Sequence, residues 1–111
     1  MITDKKTNIY VGSGNVFADI GVRDADEMLV KAQLAARIVD IVRERGLTQT
    51  AAARLLGVDQ PKVSALFRGQ IRQFSIERLM RFLTSLKHDV HISIGATPRR
   101  GRRGRVIVEA A

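Results

Sequence analysis

Gln60, Lys62, Ser64, Ala65 and Arg68 lie within nine residues of one another, and all are polar or small. Between them stand Val63 and Leu66, preceded by Leu56 and Val58. On a helix this spacing turns the apolar residues inward and leaves the others on the opposite side. A helix that is apolar on one side and hydrogen-bonding on the other can lie in the major groove of a DNA duplex and meet base edges there. Other chemistry finds little support. There is no cysteine, so disulfides and thiolate metal sites are excluded. His88 and His91, with Asp89 between them, are the only histidines, and a structural zinc site wants four ligands. They read as surface residues. No Ser-His-Asp or paired-carboxylate grouping has a recognisable context, so no enzymatic activity is expected. Gly12-Ser13-Gly14 lacks the third glycine and the strand-helix setting of a phosphate loop. No metal or cofactor is implied.

Charge agrees with a polyanionic partner. The 111-residue chain carries a net charge of +8. Residues 1–45 have 7 basic and 7 acidic side chains, residues 46–89 have 7 and 3, and residues 90–111 have 5 and 1. The excess therefore lies in the second half, which suggests DNA, RNA or an anionic membrane as partner. No apolar run reaches membrane-spanning length, and residues 1–8 lack the apolar core of a signal peptide. The expected setting is cytoplasmic, with no membrane contact.

The elements that would position these side chains can be read from caps and periodicity. Residues 24–45 read as a long helix, with Asp24 as cap, Asp26 and Glu27 at its positive end and Gly46 as stop. It carries two apolar stripes: Leu34, Ile38, Ile41 and Val42, then Met28, Ala32, Ala35 and Val39. The second exceeds what one small core needs and would cover the N-terminal segment or a partner chain. Thr48 caps a helix over residues 49–56, which Gly57 ends. Asp59 caps a helix over residues 60–68, which Gly69 ends, with Pro61 in its first turn where amide groups have no intrahelical partner. Ser75 caps a fourth helix, residues 76–87. Ala52 and Ala53 permit close contact of the two short helices, and Gly57 suits the turn between them. Phe67 and Phe82 read as core or interface residues.

Beyond the helices, residues 90–94 alternate apolar and polar and predict a half-buried strand. A lone strand cannot satisfy its own backbone, so it needs the Val106-Ile107-Val108 run or its counterpart in a second subunit. Residues 98–105 are rich in Arg and Gly and should be mobile. That run could embrace DNA phosphates, bind RNA as an arginine-rich arm, or remain solvated.

Leu47-Thr48-Gln49, Leu55-Leu56-Gly57-Val58, Val63-Ser64 and Gly69 together resemble the Cro/lambda-repressor, or Xre, helix-turn-helix family, over roughly residues 30–88. A narrower likeness is carried by Ser13-Gly14-Asn15-Val16-Phe17-Ala18-Asp19-Ile20-Gly21, Lys31-Ala32-Gln33-Leu34, Asp59-Gln60-Pro61-Lys62-Val63-Ser64 and Phe74-Ser75-Ile76-Glu77-Arg78-Leu79. This combination is similar to the host-inhibition-of-growth antitoxins, single-domain regulators paired with small ribonuclease toxins. The resemblance implies that Gln49 grips a phosphate, that Gln60 reads adenine bidentately, and that Lys62 and Ser64 touch bases or phosphates. It also implies that Ala65 faces base edges and that Arg68, Gln70 and Arg72 follow the backbone. Pro61 departs from the family's frequent polar residue and narrows the readout.

The expected fold is all-α, a lambda-repressor-like helix-turn-helix bundle with a short C-terminal β-strand and a flexible basic tail. Its parts would be an N-terminal extension (residues 1–24) packing on the core or a partner, a DNA-binding domain (25–89), and a dimerisation strand with an Arg-rich tail (90–111). The expected function is that of a homodimeric, sequence-specific regulator of double-stranded DNA, an autorepressor and antitoxin. Its rivals are a module that chiefly neutralises a ribonuclease toxin, a stand-alone phage-type repressor, and an RNA-binding regulator.

Overall fold

The structure, a computed structural model, describes residues 24–97 and 103–110. Among the described residues there are four helices: α1 (Ala25–Glu44), α2 (Gln49–Leu56), α3 (Gln60–Phe67) and α4 (Ile76–Ser85). The long helix α1 packs chiefly on α4, and α2 packs on α3. Both apolar stripes of α1 are covered: Leu34, Ile38, Ile41 and Val42 are buried, as are Met28, Ala35 and Val39. Lys31 is buried too. Its ammonium donates to the Arg72 carbonyl at 3.3 Å and pairs with Glu27 at 3.2 Å. At the other end Arg45 Nη1 donates to the Leu86 carbonyl at 3.3 Å, so α1 is tied at one end to the segment after α3 and at the other to the end of α4.

Two of the four expected caps form. Thr48 accepts from the Ala51 amide, and Ser75 accepts from the Arg78 amide, both at 3.0 Å. Asp24 and Asp59 sit at the cap positions but make no side-chain cap bond. Asp24 is left-handed (φ 57°), unlike the extended backbone of an ordinary cap, so the start of α1 relies on the charges of Asp26 and Glu27. Asp59 lacks partners for a different reason. Pro61 has no amide hydrogen, and the Lys62 amide already donates to Asp59's own carbonyl at 3.0 Å. Three helices also end one or two residues before the expected Arg45, Arg68 and Lys87, because those residues already belong to the closing turns.

The end of α4 stores an unfavourable conformation. Lys87 takes a left-handed φ of 68° while its amide donates to Thr84 and the His88 amide donates back to Leu83. This closing motif ordinarily carries glycine, since a side chain there meets the carbonyl that follows. Lys87 is exposed, so Lys87→Gly should stabilise the fold by about 0.5–1 kcal/mol and raise Tm by several degrees. An unchanged or lowered Tm by calorimetry would contradict this.

The expected C-terminal strand is not there. Among the described residues no strand forms, and Glu109 alone makes an isolated bridge. Val90 packs on the core, but Ile92 and Ile94 are 74% and 93% exposed. The alternation needs a surface and a pairing partner, and the chain's own Val106 run supplies neither to residues 90–94. Val106 and Ile107 are exposed in turn, and only Val108 returns to the core. Arg103, within the basic run, pairs with Asp26 at 3.6 Å, with both side chains in solvent. The expected N-terminal extension falls outside the described residues except for Asp24, as do residues 98–102 of the tail.

Candidate nucleic-acid interface

α2 and α3 meet through small side chains. Ala52 is wholly buried and Ala53 nearly so, which lets the two helices approach closely. Gly57 makes the turn at φ 71°, and its amide follows α2's last residue. A Cβ there would meet nothing within 4 Å, so glycine is required by the backbone conformation and not by crowding. Val63 and Leu66 point inward, 1% and 3% exposed, with Leu56 beside them and Val58 half-buried.

The exposed side of α3 is a line of residues four apart: Gln60, Ser64 and, at its closing turn, Arg68. The guanidinium of Arg68 donates to Ser64 Oγ and, at 3.3 Å, to Gln70 Oε1. One cation thus organises three of the expected contact residues. Lys62 lies off this line, half-buried, and donates to Gln73 Oε1 at 3.2 Å. Arg72 is exposed, and its carbonyl is held by Lys31. Gln49 opens α2, half-buried, in the first turn where amides lack intrahelical partners. Six of the eight expected residues (Gln60, Lys62, Ser64, Arg68, Gln70 and Arg72) therefore share α3 and the loop leaving it. Gln49 stands on the neighbouring helix.

Ala65 is the exception. It is 4% exposed and belongs to the core, so it cannot face base edges. The chain reverses after α3: Gly69 turns at φ 74°, and the Gln70 amide donates back to the Ala65 carbonyl at 2.9 Å. The returning segment buries Ile71 and Phe74, which belong to the same core cluster as Ala65. Gln73 is the residue that sequence reasoning missed. Its place next to Arg72 in a polar loop was visible, but its partner is eleven positions away across the turn.

Elsewhere the surface offers little chemistry. Among the described residues no group of three or more His, Cys, Asp or Glu side chains could hold a metal ion. His88 lies half-buried with Nδ1 3.0 Å from the Leu86 carbonyl. No helix of the described residues is long and apolar enough to cross a membrane.

Two short helices joined by a glycine turn, the second with a polar outer row, define a helix-turn-helix. Comparison with known proteins agrees. Residues 16–95 match a family described as a helix-turn-helix domain. A solved structure titled as an XRE family transcriptional regulator is similar at 43% identity and a TM-score of 0.75, over 80% of this chain and 100% of that one. A search among curated proteins returned no match. The chain belongs to the helix-turn-helix domain family, and to its XRE type.

Proposed function

We propose that this protein is a sequence-specific, double-stranded DNA-binding transcription regulator that acts as a homodimeric autorepressor and as the antitoxin of a toxin–antitoxin pair. The observation that carries the DNA reading is the outer row of α3 with its loop. Gln60, Ser64, Arg68 and Gln70 are gathered on one surface, while the inner row is closed into the core. Amide, hydroxyl and guanidinium groups are the ones that meet base edges and phosphates. Gln49 and Lys62, with Arg72, supply further phosphate contacts in this reading.

The homodimer is supported by residues 90–94. They leave the core with Ile92 and Ile94 in solvent and no pairing strand among the described residues. A second copy would supply both the partner strand and the apolar cover. Helix-turn-helix dimers read two half-sites about 34 Å apart. In sedimentation at micromolar concentration the wild-type chain should be a dimer. Ile92→Lys should shift it to monomer and weaken operator binding at least about tenfold, because the two half-sites no longer count as one ligand. Ile92 is exposed, so folding should be unaffected. A wild-type monomer would overturn the dimer reading. The antitoxin reading rests on the sequence likeness, one part of which, residues 13–21, lies outside the described residues. Co-purification with a small ribonuclease encoded beside it is the check.

A further inference from the structure

Two glutamines on the proposed DNA surface each accept from a cation through the carbonyl oxygen. Lys62 Nζ donates to Gln73 Oε1 at 3.2 Å, and Arg68 Nη2 donates to Gln70 Oε1 at 3.3 Å. Lysine and arginine side chains only donate. A glutamine that faces either must turn its oxygen toward it, so the partner settles which end of the amide points where. Each NH2 group is then directed away from its cation with both hydrogens to give. Both glutamines are exposed.

An amide held in this way offers both of its N–H hydrogens to an outside acceptor. It can meet a group that only accepts. A phosphate oxygen is such a group, and most contacts that seat a protein on DNA go to phosphate and sugar. Ser64 is set the same way: its oxygen receives Arg68, and its hydroxyl hydrogen is left to donate.

We propose that Gln73 is a phosphate-binding residue whose amide is aimed by Lys62, and that Gln70 is its counterpart aimed by Arg68. The loop from Arg68 to Gln73 is then a donor surface that follows the backbone, and base reading is left to Gln60. This inference rests on the DNA-binding reading above.

The test measures the affinity of purified chain for its selected operator and for a random duplex, over a range of salt. Gln73→Met should weaken both duplexes alike, by about tenfold, the scale of one hydrogen bond to a charged group. The slope of log affinity against log salt should not change, because the amide carries no charge and releases no counterion. In a Lys62→Met background, Gln73→Met should still cost several-fold. Gln73→Ala should repeat the result, and thermal unfolding should match wild type because the side chain is exposed. No loss in Gln73→Met would overturn the inference. So would a loss confined to one duplex, or a loss that vanishes once Lys62 is gone, since Gln73 would then be only a prop for the lysine. A wild-type chain that binds no duplex would overturn the DNA-binding reading itself, a result distinct from all of these.

Discussion

Phe74→Ala should be the most damaging single change in the chain, costing about 3–5 kcal/mol of folding stability. The ring is wholly buried although it lies in the loop between α3 and α4. It meets Phe82 edge-on with centroids 5.9 Å apart, and the Arg78 guanidinium lies over both rings at 5.5 and 5.6 Å. Removing it leaves a cavity where the loop, α4 and the core converge. Such domains are stable by only about 5–15 kcal/mol, so much of the margin would go. Tm should fall by roughly 15–30 °C. The loss also reaches the proposed DNA surface, because Phe74 anchors the segment that carries Gln70, Arg72 and Gln73. Phe67→Ala is the control. That ring is only half-buried, beneath Arg43 at 5.3 Å, and its loss should cost less. Calorimetry on both variants checks the order. Equal shifts, or a Phe74→Ala shift of only a few degrees, would show that the loop is not held as described.

The helices were legible in the sequence because their signals are local. Thr48, Gly57 and Ser75 act within a turn of where they stand, and the apolar spacing of α1 needs no knowledge of its neighbours. What depends on tertiary structure was not legible. Ala65 looks like any small residue on an exposed row until the fold buries it. Phe74 and Ile71 lie in a stretch without periodicity, so nothing nearby marks them as core. Asp59 has the residue type of a cap, yet the proline two positions on removes one donor and its own carbonyl takes the other. The alternation of residues 90–94 states a capacity to pair, and pairing needs a partner that the described residues do not supply. The Lys62–Gln73 contact joins a helix start to a loop, across a turn whose geometry no spacing rule gives.

If α3 reads base edges as proposed, Gln60 is where it should show. Gln60 is exposed at the first position of the helix. Unlike Gln70 and Gln73, it is not paired with one of the cations that close on that loop. Its amide is free to accept and donate together, which matches the N6 and N7 edge of adenine. Losing such a pair should cost about 1–3 kcal/mol on operator and little on random duplex. Lys62 is a point charge on a flexible stem. Its loss should weaken both duplexes alike and reduce the salt slope by about 1. The decisive measurement is the ratio of operator to random-duplex affinity for wild type, Gln60→Ala and Lys62→Ala, with the operator taken from selection out of a random pool. The ratio should fall by about 5- to 150-fold in Gln60→Ala and stay near wild type in Lys62→Ala. A wild-type ratio in Gln60→Ala would contradict the claim that this helix reads bases through that residue.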